Sequence, residues 1–519
     1  MARYLLCTLI LLSVSANLSA QHDPHRNAVR QVAARRFEKA AQTLKRAKEG
    51  DPETEYVLCL SHLRQGKVDL AVAHAKKALD AGLPFDRLVA GPRRAMQPLY
   101  KTAAYKGWLK KYKPSPLLHG PMLGRLGPTS VAVWLRTRQA AEVEVRVLAA
   151  GKPIARSKVV KTSKSADFTA VVPIQGLTAN TTYQYQILID RVMVKPPNAR
   201  FTTYARQGSA ARFNVCFGGG GGYVPKWERM WDTIARHNPA ALLMLGDNVY
   251  IDDPTHPLTN RYCYYRRQSR PEWRRLTATT SVFAIYDDHD FGLNDCVPGP
   301  EIENPTWKRR VWNLFRRNWV NPAYGGGRQQ PGCWFDFYIG NVHFILLDGR
   351  YYRTRKPKRK RSMLGPVQNA WLRKTVKESR GVFKVIASPV PWSAGVKPGS
   401  QDTWDGFKAE REAIFGFLEK QQIGGVFLIS ADRHRTDLRV TKREKGYDLF
   451  EFESSKLTNR HTHRVVKTPG LKWGYNKTCS FGLMRFDTTS KDPSVQFDAV
   501  TIDGKRVHTY RLRRSQLGR

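Results

Sequence analysis

The chain changes its hydrophobic period twice. Between residues 26 and 112, apolar and small residues recur at helical spacing and β-branched runs are absent, which predicts helices. Arg36-Phe37-Glu38-Lys39-Ala40 with Leu44 and Ala47 is answered 31 residues later by Lys67-Val68-Asp69-Leu70-Ala71 with Ala75 and Ala78. So short a repeat cannot bury a continuous core alone, and residues 22–113 are read as a helical cap or spacer. A charged, proline-bearing junction, Lys110-Lys111-Tyr112-Lys113-Pro114-Ser115-Pro116, ends this segment. Over 117–204 the period becomes two, at 130–135, 142–147 and 182–187, which predicts β-strands separated by turns. From residue 211 short, largely apolar runs alternate with helical stretches. The runs at 213–217, 240–245, 282–286, 342–347, 383–387 and 426–430 predict buried strands of an α/β domain over 211–512.

Several of these strands run straight into a carboxylate: Asp247, Asp287, Asp348 and, one residue on, Asp432. In open α/β sheets ligands sit outside the carboxyl ends of the strands, so these residues are expected at one rim. Gly246-Asp247-Asn248-Val249-Tyr250 puts a carboxylate on a turn where glycine permits close approach. Asp287-Asp288-His289-Asp290, with Asn294 beyond it, follows another strand, and Asp432-Arg433-His434 follows the last. A set of carboxylates, imidazoles, an amide and a phenol suits hard or borderline metal ions. Without cations such carboxylates would repel and raise one another's pKa.

In this order and spacing, together with Leu347-Asp348-Gly349-Arg350, Leu364-Gly365 with Gln368 and Trp371-Leu372, and Asp402 with Trp404, Gly406-Phe407 and Glu410-Arg411, the motifs resemble the alkaline phosphatase D family of metallophosphatases across roughly 117–500. The resemblance implies a four-layer α/β/β/α sandwich preceded by a fibronectin III-like β-sandwich. The stretch around Thr182-Tyr183-Gln184-Tyr185 resembles the corner of such a sandwich, where a tyrosine packs and hydrogen-bonds. The helical repeat is similar to a tetratricopeptide pair. The resemblance further implies two metal ions, iron and calcium, with manganese or zinc as alternatives. Asp247 would bridge them. Tyr250 would be a phenolate ligand, Asp288, Asp432 and His434 further ligands, and Asn294 a ligand on the calcium side. His289 would be the acid at the leaving oxygen, and Arg350 would steady phosphate oxygens through its planar fork. The implied reaction is hydrolysis of a phosphate mono- or diester by a hydroxide held between the metals. One position departs from the family. Its usual cysteine iron ligand falls at Gly220, inside Gly218-Gly219-Gly220-Gly221-Gly222, while Cys216, four residues earlier, reads as a buried strand residue.

Charge widens the choice of function. In 519 residues, 87 Lys and Arg face 43 Asp and Glu, a net +44 spread along the chain. That excess draws polyanions or an anionic surface, so a non-catalytic polyanion- or surface-binding protein on the same fold is the alternative reading. The run from Tyr351 to Arg361 is the densest basic stretch and is expected to be a mobile positive lip beside the site. His461 and His463 are read as loop residues, solvated or lining an entrance, and His343 as a satisfied core histidine. Arg3, the apolar run 4–14 and the small residues 15–20 have the form of a secretory signal over 1–20, so the protein is expected to be exported: periplasmic, cell-surface or extracellular. No later run reaches about 18 apolar residues, so no transmembrane helix is expected. Six cysteines follow the signal, and a bridge among Cys263, Cys296 and Cys333 is expected from their grouping.

Overall fold

The largely apolar strands divide between two sheets in the computed structural model, which describes residues 23–194, 199–355 and 361–518. A nine-stranded sheet is built on three parallel strands, Arg212–Gly218, Ala241–Leu245 and Ser281–Ile285. The C-terminal strands Ser480–Asp487, Ser494–Thr501 and Arg506–Arg513 extend it antiparallel on one side. A seven-stranded sheet is built on four parallel strands, Val342–Leu346, Phe383–Ala387, Val426–Ser430 and Leu449–Ser454. All residues of Ala241–Leu245, Ser281–Ile285, Val342–Leu346, Phe383–Ala387 and Val426–Ser430 are buried. Burial on both faces is why these strands read as near-continuous apolar runs.

The two sheets meet through phenylalanines. Phe283 stacks on Phe337 at 4.0 Å, Phe344 meets Phe486 edge-on at 5.7 Å, and Phe452 lies 4.7 Å from Phe497. Each such side chain contributes about 1.5–3 kcal/mol through burial. The paired sheets bring the ends of their central strands, and the loops that follow, to one rim.

The region read as a separate β-sandwich divides. Leu117–Gly124, Ser130–Thr137 and Thr169–Gln175 join the nine-stranded sheet, with Leu123 in register with Ser281. Glu142–Ala149, Thr182–Ile189 and their neighbours form a further six-stranded sheet. The Tyr183 hydroxyl accepts the Thr178 N–H at 3.0 Å.

The N-terminal residues form helices from Pro24 to Tyr112, the first and third capped by Asp23 and Asp51 with proline at the first helical position. Helices Phe37–Leu44 and Val68–Asp80 begin directly after Arg36 and Lys67, so the internal repeat corresponds to two helix starts. The expectation of a spacer is corrected. Tyr56 stacks on Tyr262 at 6.2 Å, and the Arg87 guanidinium lies over both rings. Arg266 pairs with Asp23, and Arg26 with Asp252 at 2.5 Å. The expected cysteine bridge is also corrected: Cys59, Cys216, Cys263, Cys296, Cys333 and Cys479 are all free. No helix among the described residues is long and apolar enough to cross a membrane. The signal read over 1–20 lies outside the described residues.

Candidate metal centre

Asp247 follows strand Ala241–Leu245 through Gly246, whose φ of +104° and 2.5 Å clearance from a built Cβ to Asp287 Cβ leave room only for glycine. The next residues are locked by Asp290. Its carboxylate accepts from the Asn248 N–H at 2.9 Å, the Asn248 side-chain amide at 3.0 Å and the Val249 N–H at 3.0 Å. The His289 carbonyl accepts from Ile251 N–H at 2.7 Å and Asp252 N–H at 3.1 Å. The Gly-Asp-Asn-Val-Tyr loop and the Asp-Asp-His-Asp turn are therefore one unit.

Asp247, Tyr250, Asp432 and His434 all take left-handed backbone conformations, with φ of 55°, 49°, 72° and 50°. Non-glycine residues enter this region at a cost of about 1–3 kcal/mol each, and they cluster where geometry serves function. The four side chains converge accordingly. The Tyr250 hydroxyl lies 2.8 Å from Asp247 Oδ2, to which it donates, and 2.7 Å from His434 Nε2. Ligand atoms of Asp247, Asp287 and Asp432 lie within 4.8 Å of one another, as do those of Asp247, Asp288 and His289, and those of Asp288, Asp295 and Asp402.

The electrostatics of this cluster are unfavourable for a bare site. Burial comes first, and Asp288, Asp287 and Asp290 add to it. Against the pull of His289 they push the Asp247 carboxyl well above the usual carboxylate range. Burial and Asp288, against Arg350, push Asp287 up to about 8. Burial and Asp247 hold the Tyr250 phenol well above its ordinary value. Asp247 Oδ1 and Asp287 Oδ2 are buried with no hydrogen-bond partner. Two orphaned carboxylate oxygens in one cluster are the arrangement that a bound cation relieves.

His289 donates Nδ1–H to Asp252, and its ring stacks on Tyr250 at 4.5 Å. Burial alone would lower its pKa, but Asp252, Asp288 and Asp247 raise it well above the ordinary histidine value. Asp252 escaped the sequence reading because its partners are distant in the chain. It is held by His289 and by Arg26 of the N-terminal helix, which also donates to the Tyr250 carbonyl at 3.3 Å.

Two expectations change here. Arg350 does not face an open phosphate position. It is fully buried, donating through Nε to Asp287 and through Nη1 and Nη2 to Asp402 at 2.7 and 2.9 Å, with Asp288 at 3.6 Å. It is the internal counter-charge of the acidic cluster. Asn294 is exposed, whereas Asp295 beside it donates its N–H to Asp288 Oδ2 at 2.6 Å and accepts Lys397 Nζ at 3.0 Å. Asp295 and Asp402 were missed as site residues, although Asp402 stood in a quoted motif and Asp295 directly follows Asn294. Asp348 holds a loop: Oδ1 accepts from the N–H groups of Arg350 and Tyr351, and Oδ2 from Cys333 N–H. The basic run is not a lip from its start, since Tyr351, Tyr352, Arg353 and Thr354 are buried. Arg353 donates to the Asp402 side chain and backbone. Residues 356–360 lie outside the described residues. His343 is a satisfied core residue, bonded to Ser379 and Asp336.

Gly220, at the position of the expected cysteine ligand, has φ +69°, and a Cβ there would stand 2.9 Å from Ser455 Oγ. The glycine run packs the 455–459 loop closely: Leu457 N–H and Thr458 N–H donate to the Gly219 and Gly220 carbonyls. A side chain at Gly220 is disfavoured both by space and by backbone conformation. His461 and His463 lie beside His434, at ring-centroid distances of 5.1 and 5.6 Å.

Residues 215–467 match the family model described as PhoD-like phosphatase. The chain carries a PhoD-like domain. A curated relative, the alkaline phosphatase D of Bacillus subtilis (strain 168), is 27% identical over 265 residues, 44% of this chain and 42% of that protein. The match thus spans less than half of that relative's length. A solved structure of PhoD superposes with a TM-score of 0.65 at 16% identity, over 76% of this chain and 90% of the other. A purple acid phosphatase from yellow lupin seeds gives 0.57 at 11% identity, over 76% and 75%. These likenesses establish a metallophosphatase-like α/β fold for the PhoD-like domain. Residues 114–206, the divided β-region, match a family described as a domain of unknown function.

Proposed function

We propose that this chain is a metal-dependent phosphoric ester hydrolase acting on phosphate mono- or diesters. The observation that carries the reading is Asp247 Oδ1, buried without a partner in a group of carboxylates that repel one another. Asp247, Asp287, Asp288 and Asp432, with Tyr250 and His434, would hold two metal ions. The oxygen-rich side with Asp295 and Asp402 suits calcium, and the Tyr250–His434 side suits iron or zinc. When bound, such ions supply Lewis acidity and an activated water.

The chain's own groups do the rest. Asp252 accepts the Nδ1 proton of His289 and so fixes the ring, leaving Nε2 to deliver a proton to the departing oxygen. Arg350 keeps Asp287, Asp288 and Asp402 together. Lys397 and Arg433, the cations that lower the Asp432 pKa, would balance charge on a bound phosphoryl group. A cavity of about 800 Å³ between the N-terminal helices and the Tyr250 loop, lined in part by Arg26, Tyr223, Tyr250 and Arg460, would take the organic part of the ester. The family's four-layer arrangement, its fibronectin III-like module and export through residues 1–20 belong to the same proposal.

The test is metal content measured beside hydrolysis of mono- and diester model substrates. Bound metal with turnover is expected. A chain that binds no metal, and stays inactive after iron, calcium or manganese is supplied, would leave the polyanion-binding alternative standing.

A further inference from the structure

On the side of the rim away from Arg350 the side chains change from oxygen to nitrogen donors. His434, His461 and His463 each offer a ring nitrogen within 4.8 Å of the others. His461 Nε2 and His463 Nε2 are 3.1 Å apart. His434 uses Nε2 at Tyr250, and its Nδ1 is buried with no partner. We propose that His434, His461 and His463 hold a borderline divalent cation, of the class of zinc, at a site distinct from the carboxylate cluster.

Two observations bear on it independently. The loop carrying the pair is built rather than loose. His461 N–H donates to Asn459 Oδ1 at 2.9 Å, Thr462 Oγ1 donates to the His434 carbonyl at 3.2 Å, and Asn476 Nδ2 donates to the His463 carbonyl at 3.0 Å. The donor set is chemically selective. Three imidazoles without a carboxylate favour zinc, copper or nickel over calcium and magnesium, and three protein ligands leave a fourth position open. His461 and His463 are half-buried, so that position is reachable from solvent. Cations close by, Arg433 foremost, oppose a further positive charge, and Asp432 offsets them.

The inference rests on the proposed metal centre only through the shared His434. Its test uses the full chain, stripped with chelator and titrated separately with Zn²⁺ and Co²⁺. Wild type is expected to bind one more equivalent of zinc than His461→Asn/His463→Asn. The double variant should bind that equivalent at least about 100-fold more weakly and lose a visible Co²⁺ absorption band. Asp247→Asn should retain both signals. The single variants His461→Asn and His463→Asn, each checked for native thermal unfolding, should each weaken the band. Equal zinc content and identical Co²⁺ spectra in wild type and the double variant would overturn the site and leave a plain N–H···N contact between the histidines. Unchanged metal binding in the double variant, with hydrolysis abolished by Asp247→Asn, sinks this inference alone. Normal hydrolysis by Asp247→Asn, with zinc lost in the double variant, sinks the hydrolase reading alone.

Discussion

The two sides of the rim solve opposite problems. On one side Asp247, Asp287, Asp288, Asp295 and Asp402 crowd together, and the chain answers with buried arginines: Arg350 touches three of them and Arg353 joins it at Asp402. Asp402 is consequently held well below the usual carboxylate range, against the burial that would raise it. On the other side His434, His461 and His463 meet with no carboxylate among them, and burial lowers their pKa values. The contrast teaches that net charge says little about local chemistry. A chain of +44 still builds an acidic pocket that needs internal cations, and beside it a cluster of imidazole nitrogens.

The comparison breaks most sharply at Asp247. Asp247→Asn should cut hydrolysis by at least about 10³-fold, the upper range for a single electrostatic group, with folding retained; kcat for a model diester checks it, and a loss under tenfold contradicts the role. His289→Ala should lower kcat by roughly 10²–10⁴-fold with little change in KM. Arg350→Ala should act through stability instead. It leaves buried carboxylates unpaired at a cost of about 3–5 kcal/mol, read by denaturant unfolding, and an unfolding midpoint equal to wild type would refute the counter-charge role.

Arg26→Ala tests the distant support of His289. Removing an outer partner of a catalytic group costs roughly 10–100-fold in activity, and Arg26→Lys should recover part of it; unchanged kcat would return the helices to a spacer role. The smallest effect is expected at Gly220. Gly220→Cys should not rescue iron binding, and should destabilise by about 1–2 kcal/mol because an L-residue is forced left-handed; a gain in bound iron would show that the loop can yield. The Asp23–Arg266 pair adds an acid dependence. Arg266, against burial, lowers the Asp23 pKa. Its stabilising effect is therefore complete above the unfolded value of about 4 and is lost as pH falls below it. Protease cleavage of the N-terminal helices should rise below that pH in wild type and less so in Asp23→Asn.

Much of the fold was legible because a strand buried on both faces leaves a near-continuous apolar run, as at 241–245 and 426–430. The strand-end carboxylates were legible for the same reason: where the run stops, the rim begins. What was missed depends on partners far along the chain. Arg350 reads as a free phosphate-binding cation until Asp287 and Asp402, 63 and 52 residues away, take its donors. Tyr351 to Thr354 read as a solvated basic stretch because a local window does not see the carboxylate that buries Arg353. His461 and His463 carry no periodic signal, and only the turn that brings them back to His434 makes them a group. The division of the β-region between two sheets hangs on one register contact, Leu123 with Ser281, that alternation alone does not encode.

Arg26 reaches the Tyr250 carbonyl across 224 residues, and Asp23 reaches Arg266 across 243. Helix Pro24–Ala33 therefore has no final seat until the loop around Tyr250, and the helix that carries Arg266, have been made and have begun to fold. Contacts of such long range form slowly, because the intervening chain must be ordered first. The cavity between this helix and the Tyr250 loop is thereby closed late: a chain ending before Arg266 would own the helix and still lack the surface that seats it.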